Sequence, residues 1–149
     1  MKKLNLLFLI IFFYNSLIAQ SIRNFKTKND ANAKERTEML DLLRITLNRE
    51  VEEDLVFVVK HFKVSGIYAW MEGTVQRKDG KIIRLPDYYE CCAVEALFKK
   101  VNSKWILKRG GDFTWRDTDL WFLCLGEDFP EADSNIYSED NRSLIMCTY

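Results

Sequence analysis

Apolar residues between positions 33 and 51 recur at intervals of three and four. They form one stripe, composed of Met39, Leu40, Leu42, Leu43, Leu47 and Val51. This spacing predicts a single amphipathic helix over about residues 33–50. Asn32 and Glu35 make a capping-box-like start, in which the Asn32 side chain is expected to accept from the backbone near Glu35.

After Asp54 the pattern changes to short runs of β-branched and aromatic residues that turn residues separate. Such runs predict an antiparallel meander. The predicted strands are residues 55–64, 67–77, 81–85, 90–100 and 104–109. The predicted turns lie at residues 65–66, 78–81 and 102–103. Pro86 ends the third strand because proline lacks a backbone N–H.

Alternation along the strands assigns side chains to two faces of the sheet. In the second strand the expected core set is Ile67, Ala69, Met71, Gly73 and Val75, and Tyr68 and Trp70 belong to the outer set. In the fourth strand one face carries Cys92, Val94, Ala96 and Phe98, and the other carries Cys91, Ala93, Glu95 and Leu97. The two adjacent cysteines are therefore expected to point in opposite directions.

The C-terminal third shows weaker signals. Residues 112–117 are predicted to be a loop, and Asp117 or Thr118 caps a short helical segment that runs through Leu125. A buried strand is the alternative for this segment, because a short apolar run does not separate the two by period. Gly126 is expected to end the segment, and the acidic residues 127–142 are expected to be loop.

Residues 1–19 have the features of a secretory signal peptide. Lys2 and Lys3 precede an apolar run over residues 6–14, and Ala19 is a small residue at the expected cleavage site. The run stops well short of the ~20 apolar residues of a membrane span. The segment resembles export signals of Bacteroidetes-type bacteria. We expect a protein that a Gram-negative bacterium exports to the periplasm or beyond, with no membrane span after cleavage.

The rest of the chain, about 130 residues, suits one hydrophobic core. Residues 20–31 lack periodicity and are predicted to be a flexible leader, followed by a single α+β domain at residues 32–149. The 22 Lys and Arg residues balance the 22 Asp and Glu residues, which gives no indication of a nucleic-acid partner. An N-terminal helix packed on a curved meander of four to five strands, plus a short C-terminal helical segment, is the cystatin or NTF2-like kind of arrangement.

Three stretches, ERTEMLDLLR, VFVVKHFKVSGIYAWMEG and CCAVEALFKKVNSKWILK, resemble small exported bacterial proteins of no assigned activity. In that pattern a helix containing Glu-Arg precedes a strand with a V-x-G-x-W-A core and a later hairpin. The likeness covers about residues 35–109, and Tyr68 stands where the pattern has Trp. The resemblance implies the fold and export, and it implies no activity.

An exported chain with four cysteines is expected to be disulfide-bonded. A bond between Cys91 and Cys92 needs a strained turn, which a regular strand does not provide. Two pairings remain, Cys92 with Cys124 plus Cys91 with Cys147, or the swapped arrangement. The first is favoured because Cys92 lies on the expected core face, and Cys124 lies on the segment that should close over it. Reduced, buried cysteines are the alternative.

Other chemistry is sparse. The chain has a single histidine, His61, which lies in a predicted strand, so neither a zinc site nor a Cys-His nucleophile is expected. No cofactor motif is present. Asp112, Asp117 and Asp119 stand near Trp115 and Trp121, where an aromatic environment can raise a carboxyl pKa. Helix capping is the stronger interpretation of these acids.

The candidate ligand or partner surface consists of Tyr68, Trp70, Trp115 and Asp119. The strand aromatics form an exposed patch in this hypothesis, unless the leader or the C-terminal tail covers them. Two functions follow. The first is an exported, non-catalytic binding or protein-interaction module. The second is an NTF2-like pocket that binds or converts a small molecule, which requires a cavity between helix and sheet lined by a buried acid or by His61.

Overall fold

The computed structural model describes residues 21–47, 54–81, 83, 92–111 and 121–148. These residues form an α+β fold, as predicted. In chain order the elements are β1 (Arg23–Asn24), α1 (Ala33–Leu47), β2 (Leu55–Ser65), β3 (Tyr68–Arg77), β4 (Ala93–Val101), β5 (Lys104–Gly110), α2 (Leu125–Asp128), a 3-10 helix (Ser134–Ile136) and α3 (Glu139–Ile145).

The five strands make one antiparallel sheet in the sequential order β1-β2-β3-β4-β5. The antiparallel order of β2, β3, β4 and β5 confirms this part of the predicted meander, whereas β1 was not predicted. Asn102 and Ser103 both have positive φ, at 49° and 64°, which is the conformation of a tight two-residue hairpin loop. Most of the predicted strand at residues 81–85 lies outside the described residues, as do Cys91, Trp115, Asp119 and the signal segment.

One face of the sheet packs against α1, and we call it the inner face. The predicted helix stripe is confirmed there, because Met39, Leu43 and Leu47 are fully buried. The strand residues that meet this stripe are Phe62, Val64, Ala69, Met71, Val75, Val94, Ala96, Phe98 and Trp105. The parity assigned to β3 and β4 therefore gives the correct core face. Ile67 is the exception, since it lies in the β2–β3 turn and is exposed.

The start of α1 differs from the predicted capping box. The Asn32 side chain accepts from the backbone N–H of Asn29 at 2.9 Å and donates to the Thr27 carbonyl at 2.9 Å. It thus organises the turn before the helix, and Asn32 is 3% exposed. The Glu35 side chain turns instead to the sheet side of the molecule, where it pairs with Lys100 and Arg23.

Glu35 connects three parts of the chain. Burial raises the pKa of its carboxyl, but the hydrogen bond from Lys100 and the charges of Arg23 and Lys100 outweigh burial and hold that pKa below its usual value.

The structure differs from the predicted flexible leader at residues 20–31, because Arg23–Asn24 is a strand and Phe25 is buried. The core therefore begins before the predicted domain boundary.

The opposite face of the sheet, which we call the outer face, is covered by residues 121–148. We call this segment the C-terminal cap. It buries Tyr68, Trp70 and Leu97 of the sheet under Phe122, Leu125, Ala132, Ile136, Tyr137 and Ile145. The prediction of loop for residues 127–142 is wrong at residues 127–128, which belong to α2, at the 3-10 helix, and from Glu139, where α3 begins. Gly126, the predicted end of the preceding segment, lies inside α2.

None of the helices in the described parts of the chain has the length and apolar content that crossing a bilayer requires.

Candidate functional site

Trp70 is the centre of the face beneath the C-terminal cap. Its ring centroid lies 5.9 Å from that of Trp121, 6.2 Å from that of Phe122 and 5.4 Å from that of Tyr137. Trp70 is fully buried and Tyr68 is 2% exposed. The hypothesis of an exposed aromatic patch is therefore wrong for these two residues. Coverage by the C-terminal tail, the alternative interpretation, is confirmed.

A glycine at the end of β5 makes room for this cluster. A Cβ atom on Gly110 would overlap with the Trp121 ring and with the Glu95 carbonyl oxygen, so no side chain fits at this position. Gly110 also has φ 75°, a conformation that glycine adopts without steric cost. The glycine thus lets the indole of Trp121 lie directly on the backbone of the sheet.

Glu72 and Ser138 join the sheet to the cap. The Glu72 carboxylate accepts from Trp70 Nε1 and, at 2.6 Å, from the Ser138 hydroxyl. Ser138 also caps α3, because its oxygen accepts from the Asn141 N–H at 3.3 Å. Its hydroxyl proton is therefore given to a carboxylate rather than to a histidine, which is a docking arrangement and not that of an activated nucleophile.

His61 makes a second connection. Its Nε2 lies 2.6 Å from the Ile136 carbonyl oxygen, and since a carbonyl only accepts, Nε2–H is the donor. His61 stands opposite Glu72 in the β2–β3 pairing, so it belongs to the outer face. It does not line the space between α1 and the sheet.

Charged residues close the rim of the cap. The Tyr68 hydroxyl donates to Glu131 at 3.1 Å, and Lys99 Nζ lies 3.5 Å from the same carboxylate. Lys99 also lies 4.8 Å from the Tyr68 ring centroid. The hydrogen bond with Tyr68 raises the pKa of Lys99. A backbone hydrogen bond and the one from Tyr68 lower the pKa of the Glu131 carboxyl. Both shifts favour the charged forms, so Lys99 and Glu131 face each other as an ion pair.

Tyr137 belongs to the cap and points into its interior, where its hydroxyl is buried without a hydrogen-bond partner. Burial raises the pKa of Tyr137 to about 12, and the nearby Tyr68 adds to the effect. Trp121 Nε1 and Arg142 Nε are likewise buried and unpaired. A phenol that stays protonated and sealed from water is not a general base, so its role is in packing.

The cap is closed on itself by a disulfide between Cys124 and Cys147, whose Cα atoms are 4.9 Å apart. The predicted pairing of Cys92 with Cys124 is wrong, and so is the swapped arrangement. The Leu144 carbonyl accepts from the Cys124 N–H at 3.0 Å, which brings the two ends of the cap together. Cys92 lies on the inner face, 6% exposed, and is itself disulfide-bonded.

Cys124, Glu127 and Cys147 place two sulfurs and a carboxylate within 4.8 Å of one another. The sulfurs are bonded to each other, whereas zinc requires thiolates. With the disulfide formed, this group is therefore not a set of metal ligands.

The described surface also contains a shallow depression lined by Asp54, Arg77, Lys78 and Asp79. Its charges are already paired, Arg77 with Asp79 at 3.2 Å and Lys78 with Asp54 at 3.9 Å. Between α1 and the sheet, in contrast, fully buried apolar side chains occupy the core. Among the described residues, no acidic side chain is buried in this core.

One edge of the sheet is covered over only part of its length. The β1 strand pairs with Lys63 and Val64 of β2, and its last bond runs from the Phe25 N–H to the Phe62 carbonyl at 2.7 Å. The Lys26 N–H then bonds to the side chain of Asn24, and the chain turns away towards α1. Residues 55–60 of β2 extend beyond β1. We call them the free edge.

Backbone groups along the free edge alternate in direction. The Asp54 carbonyl accepts from the Lys78 N–H, so Asp54 faces β3. Leu55 faces outward, because its carbonyl is reached by Arg44 Nε at 3.4 Å from α1. By alternation Phe57 and Val59 also present their N–H and carbonyl groups outward. Within the described chain, no hydrogen bond to those groups runs across the edge.

Ser138 and Glu72, which join the cap to the sheet, were not predicted from the sequence. Ser138 had a local signal, since a serine followed by Glu139 and Asp140 is a helix start. Glu72 had none, because its partner Ser138 lies 66 positions away.

Comparison with protein-family models, with curated proteins and with solved structures finds no match to this chain. Inferences about its function therefore depend on the geometry of its own residues.

Proposed function

We propose that this protein is an exported, non-catalytic interaction module, and that the free edge of β2 is its binding element. One observation carries the proposal. The chain covers both faces of its sheet, with α1 on one side and the C-terminal cap on the other, whereas among the described residues the outward backbone groups of Phe57 and Val59 have no hydrogen-bond partner.

The polar groups between the sheet and the cap support the non-catalytic part of the proposal. His61, Glu72 and Ser138 are each used in a bond that holds the cap on the sheet. Catalysis by such groups requires a nucleophile beside a base and a place for substrate. The alternative of an NTF2-like pocket needs His61 or a buried acid on the inner face, and His61 is on the outer face.

Export is supported by the signal-like residues 1–19 and by the Cys124–Cys147 disulfide, since such bonds persist in oxidising compartments. The order of one helix and a meander is compatible with the suggested cystatin/NTF2-like family of small exported proteins. That family assignment is part of the proposal.

An open strand edge is a known means of recognition, because a partner strand adds to the sheet through backbone hydrogen bonds. The free edge suits this use since the side chains beside it are apolar. Val56 is 37% exposed and Val58 is 43% exposed. A partner strand would bury both and satisfy the outward backbone groups.

A photocrosslinking amino acid tests the proposal. It is incorporated at Val58 and, in a matched control, at Val101, which is 40% exposed at the far end of β4. After irradiation of the producing cells, the Val58 variant is expected to give discrete protein adducts and the Val101 variant is not. Adducts that are equal at both positions, or absent at Val58, would refute the free edge as the binding element.

A further inference from the structure

We infer that the partner at the free edge is a second copy of this chain, paired antiparallel and centred on Phe57. The inference rests on the proposed function and names its partner. It is carried by the order of charged, apolar and backbone groups along residues 54–60.

The direction of the backbone groups restricts the register of such a pair. In an antiparallel pair the bonded positions are residues whose N–H and carbonyl groups both point to the neighbouring strand. Leu55, Phe57 and Val59 are the outward residues of the free edge. With Phe57 opposite itself, Leu55 of one copy faces Val59 of the other, so every outward residue meets an outward residue.

Charge then distinguishes this register. Centring on Phe57 places Asp54 opposite Lys60 of the second copy, and the two-fold symmetry repeats the pair. Both residues are exposed. A shift of the centre to Val58 puts Asp54 opposite Phe62, and a shift to Val56 puts Asp54 opposite Val58. Of these three registers, only the one centred on Phe57 places an ammonium group of the second copy opposite each Asp54, which also lies 3.9 Å from Lys78 of its own chain.

The side chains on the outer face agree with the same register. Val56 faces Val58 of the second copy in a non-hydrogen-bonded pair, the type in which side chains lie closest. Four half-exposed valines then cover one another across the axis. Apolar cross-strand pairs of this kind stabilise sheets, and opposite charges at the ends add to the effect.

Two neighbouring features set the limits of the contact. The β-bulge between Val59 and His61 ends the regular part of the edge, so pairing stops at Lys60. Arg44 gives up its 3.4 Å contact with the Leu55 carbonyl and keeps its ion pair with Asp41. Lys60 and the bulge discourage indiscriminate strand addition, whereas a copy of the same edge supplies the matching Asp54.

Sedimentation equilibrium of the purified, disulfide-intact chain, over the micromolar to millimolar range, tests the inference. The parent is expected to form a reversible dimer. Asp54→Lys puts like charges at both ends of the contact, and Lys60→Asp does the same, so each raises the dissociation constant about tenfold. The combined Asp54→Lys and Lys60→Asp variant restores opposite charges and returns the constant to within about threefold of the parent.

Asp128→Lys is the matched control. It breaks the exposed ion pair of Arg109 with Asp128 at 3.8 Å, which is similar in length to the 3.9 Å pair of Lys78 with Asp54 that Asp54→Lys breaks. Asp128 lies away from the free edge, so this variant is expected to leave the dimer unchanged. Circular dichroism on each variant checks that the fold is retained, which is expected because Asp54 and Lys60 are exposed.

The outcomes separate the inference from the proposed function. A parent that stays monomeric at millimolar concentration overturns self-pairing, and so does a dimer that the double charge exchange fails to rescue. If Val58 crosslinks only to a different protein, the interaction module stands and the second copy as partner falls. If Val58 gives no adduct at all and the chain is monomeric, both fall.

Discussion

The inner and outer faces of the sheet are covered in two different ways. On the inner face a single helix of 15 residues lays a regular apolar stripe across the strands. On the outer face the described chain has two short α-helices, of 4 and 7 residues. They belong to a segment that covers the strands through aromatic packing, directed hydrogen bonds and a disulfide. Helices this short are not stable alone, so the cap depends on its individual connections.

The two faces are therefore expected to lose stability in different ways when a side chain is removed. Loss of one side chain from the inner face removes apolar contact and leaves a cavity, and the cost scales with burial. Loss of one connection on the outer face removes a particular bond that no neighbour replaces. Substitutions on the two sides are therefore expected to differ in size and also in which part of the chain responds.

The largest effect is expected for Leu43→Ala. Leu43 is fully buried between α1 and the sheet, and its truncation should lower the free energy of unfolding by about 4 kcal/mol. Urea denaturation followed by circular dichroism measures it. Ile45→Ala, on the same helix but 60% exposed, is the control and should change little. Similar losses at the two positions would contradict the inner-face packing.

Removal of the cap disulfide by Cys124→Ser together with Cys147→Ser is expected to cost about 3 kcal/mol for a loop of this length. Hydrogen exchange should quicken first in residues 121–148 and leave α1 protected, because the cross-link is internal to the cap. Equal acceleration in α1 would show that the two faces of the sheet unfold together.

A smaller loss, about 1.5 kcal/mol, is expected for Ser138→Ala. The change deletes both the cap of α3 and the hydroxyl that Glu72 accepts from. Thermal unfolding measures the loss. Ser143→Ala is the control, since Ser143 is an exposed residue of the same helix, and a comparable shift there would argue against a special role for Ser138.

Tyr137→Phe is expected to have the smallest effect, and a favourable one. It removes a buried hydroxyl that lacks a partner, so stability at neutral pH should rise by up to about 1 kcal/mol. The stability of the parent is also expected to depend on pH in the alkaline range. Because the folded pKa is about 12 and the usual value is 10.0, the parent binds the proton more tightly when folded.

The pH dependence of Tyr137 follows from that difference. Below pH 10 the phenol is protonated in both the folded and the unfolded chain, so its ionisation does not affect stability. As the pH rises towards 12 the unfolded chain releases this proton first, and the parent loses stability. Alkaline unfolding curves of the parent and of Tyr137→Phe should therefore diverge in this window. Identical curves would indicate that the hydroxyl of Tyr137 reaches water.

The inner face was predictable because its information is local. The helix stripe and the strand alternation each lie within a dozen neighbouring residues, and the periodicity decides which side is buried. The tight turn at Asn102 and Ser103 is local for the same reason. The α+β arrangement could therefore be derived from the sequence.

The outer face was not predictable because its connections span the chain. His61 and Ile136 are 75 positions apart, and no pattern near His61 indicates that partner. The cysteine pairing failed for a related reason. Alternation correctly gave the face of Cys92, but only the path of the cap determines that Cys124 meets Cys147. Tyr68 and Trp70 looked like surface because the element that covers them has no periodicity.

The position of the Cys124–Cys147 bond within the cap has a consequence for biogenesis. Both cysteines belong to residues 121–148, so oxidation is not needed to join α1 to the strands. Packing of α1 on the strands therefore needs no oxidant, whereas the covalent closure of the cap does. Under reducing conditions the segment that covers Trp70 loses its cross-link, while the apolar contacts of α1 with the sheet are untouched.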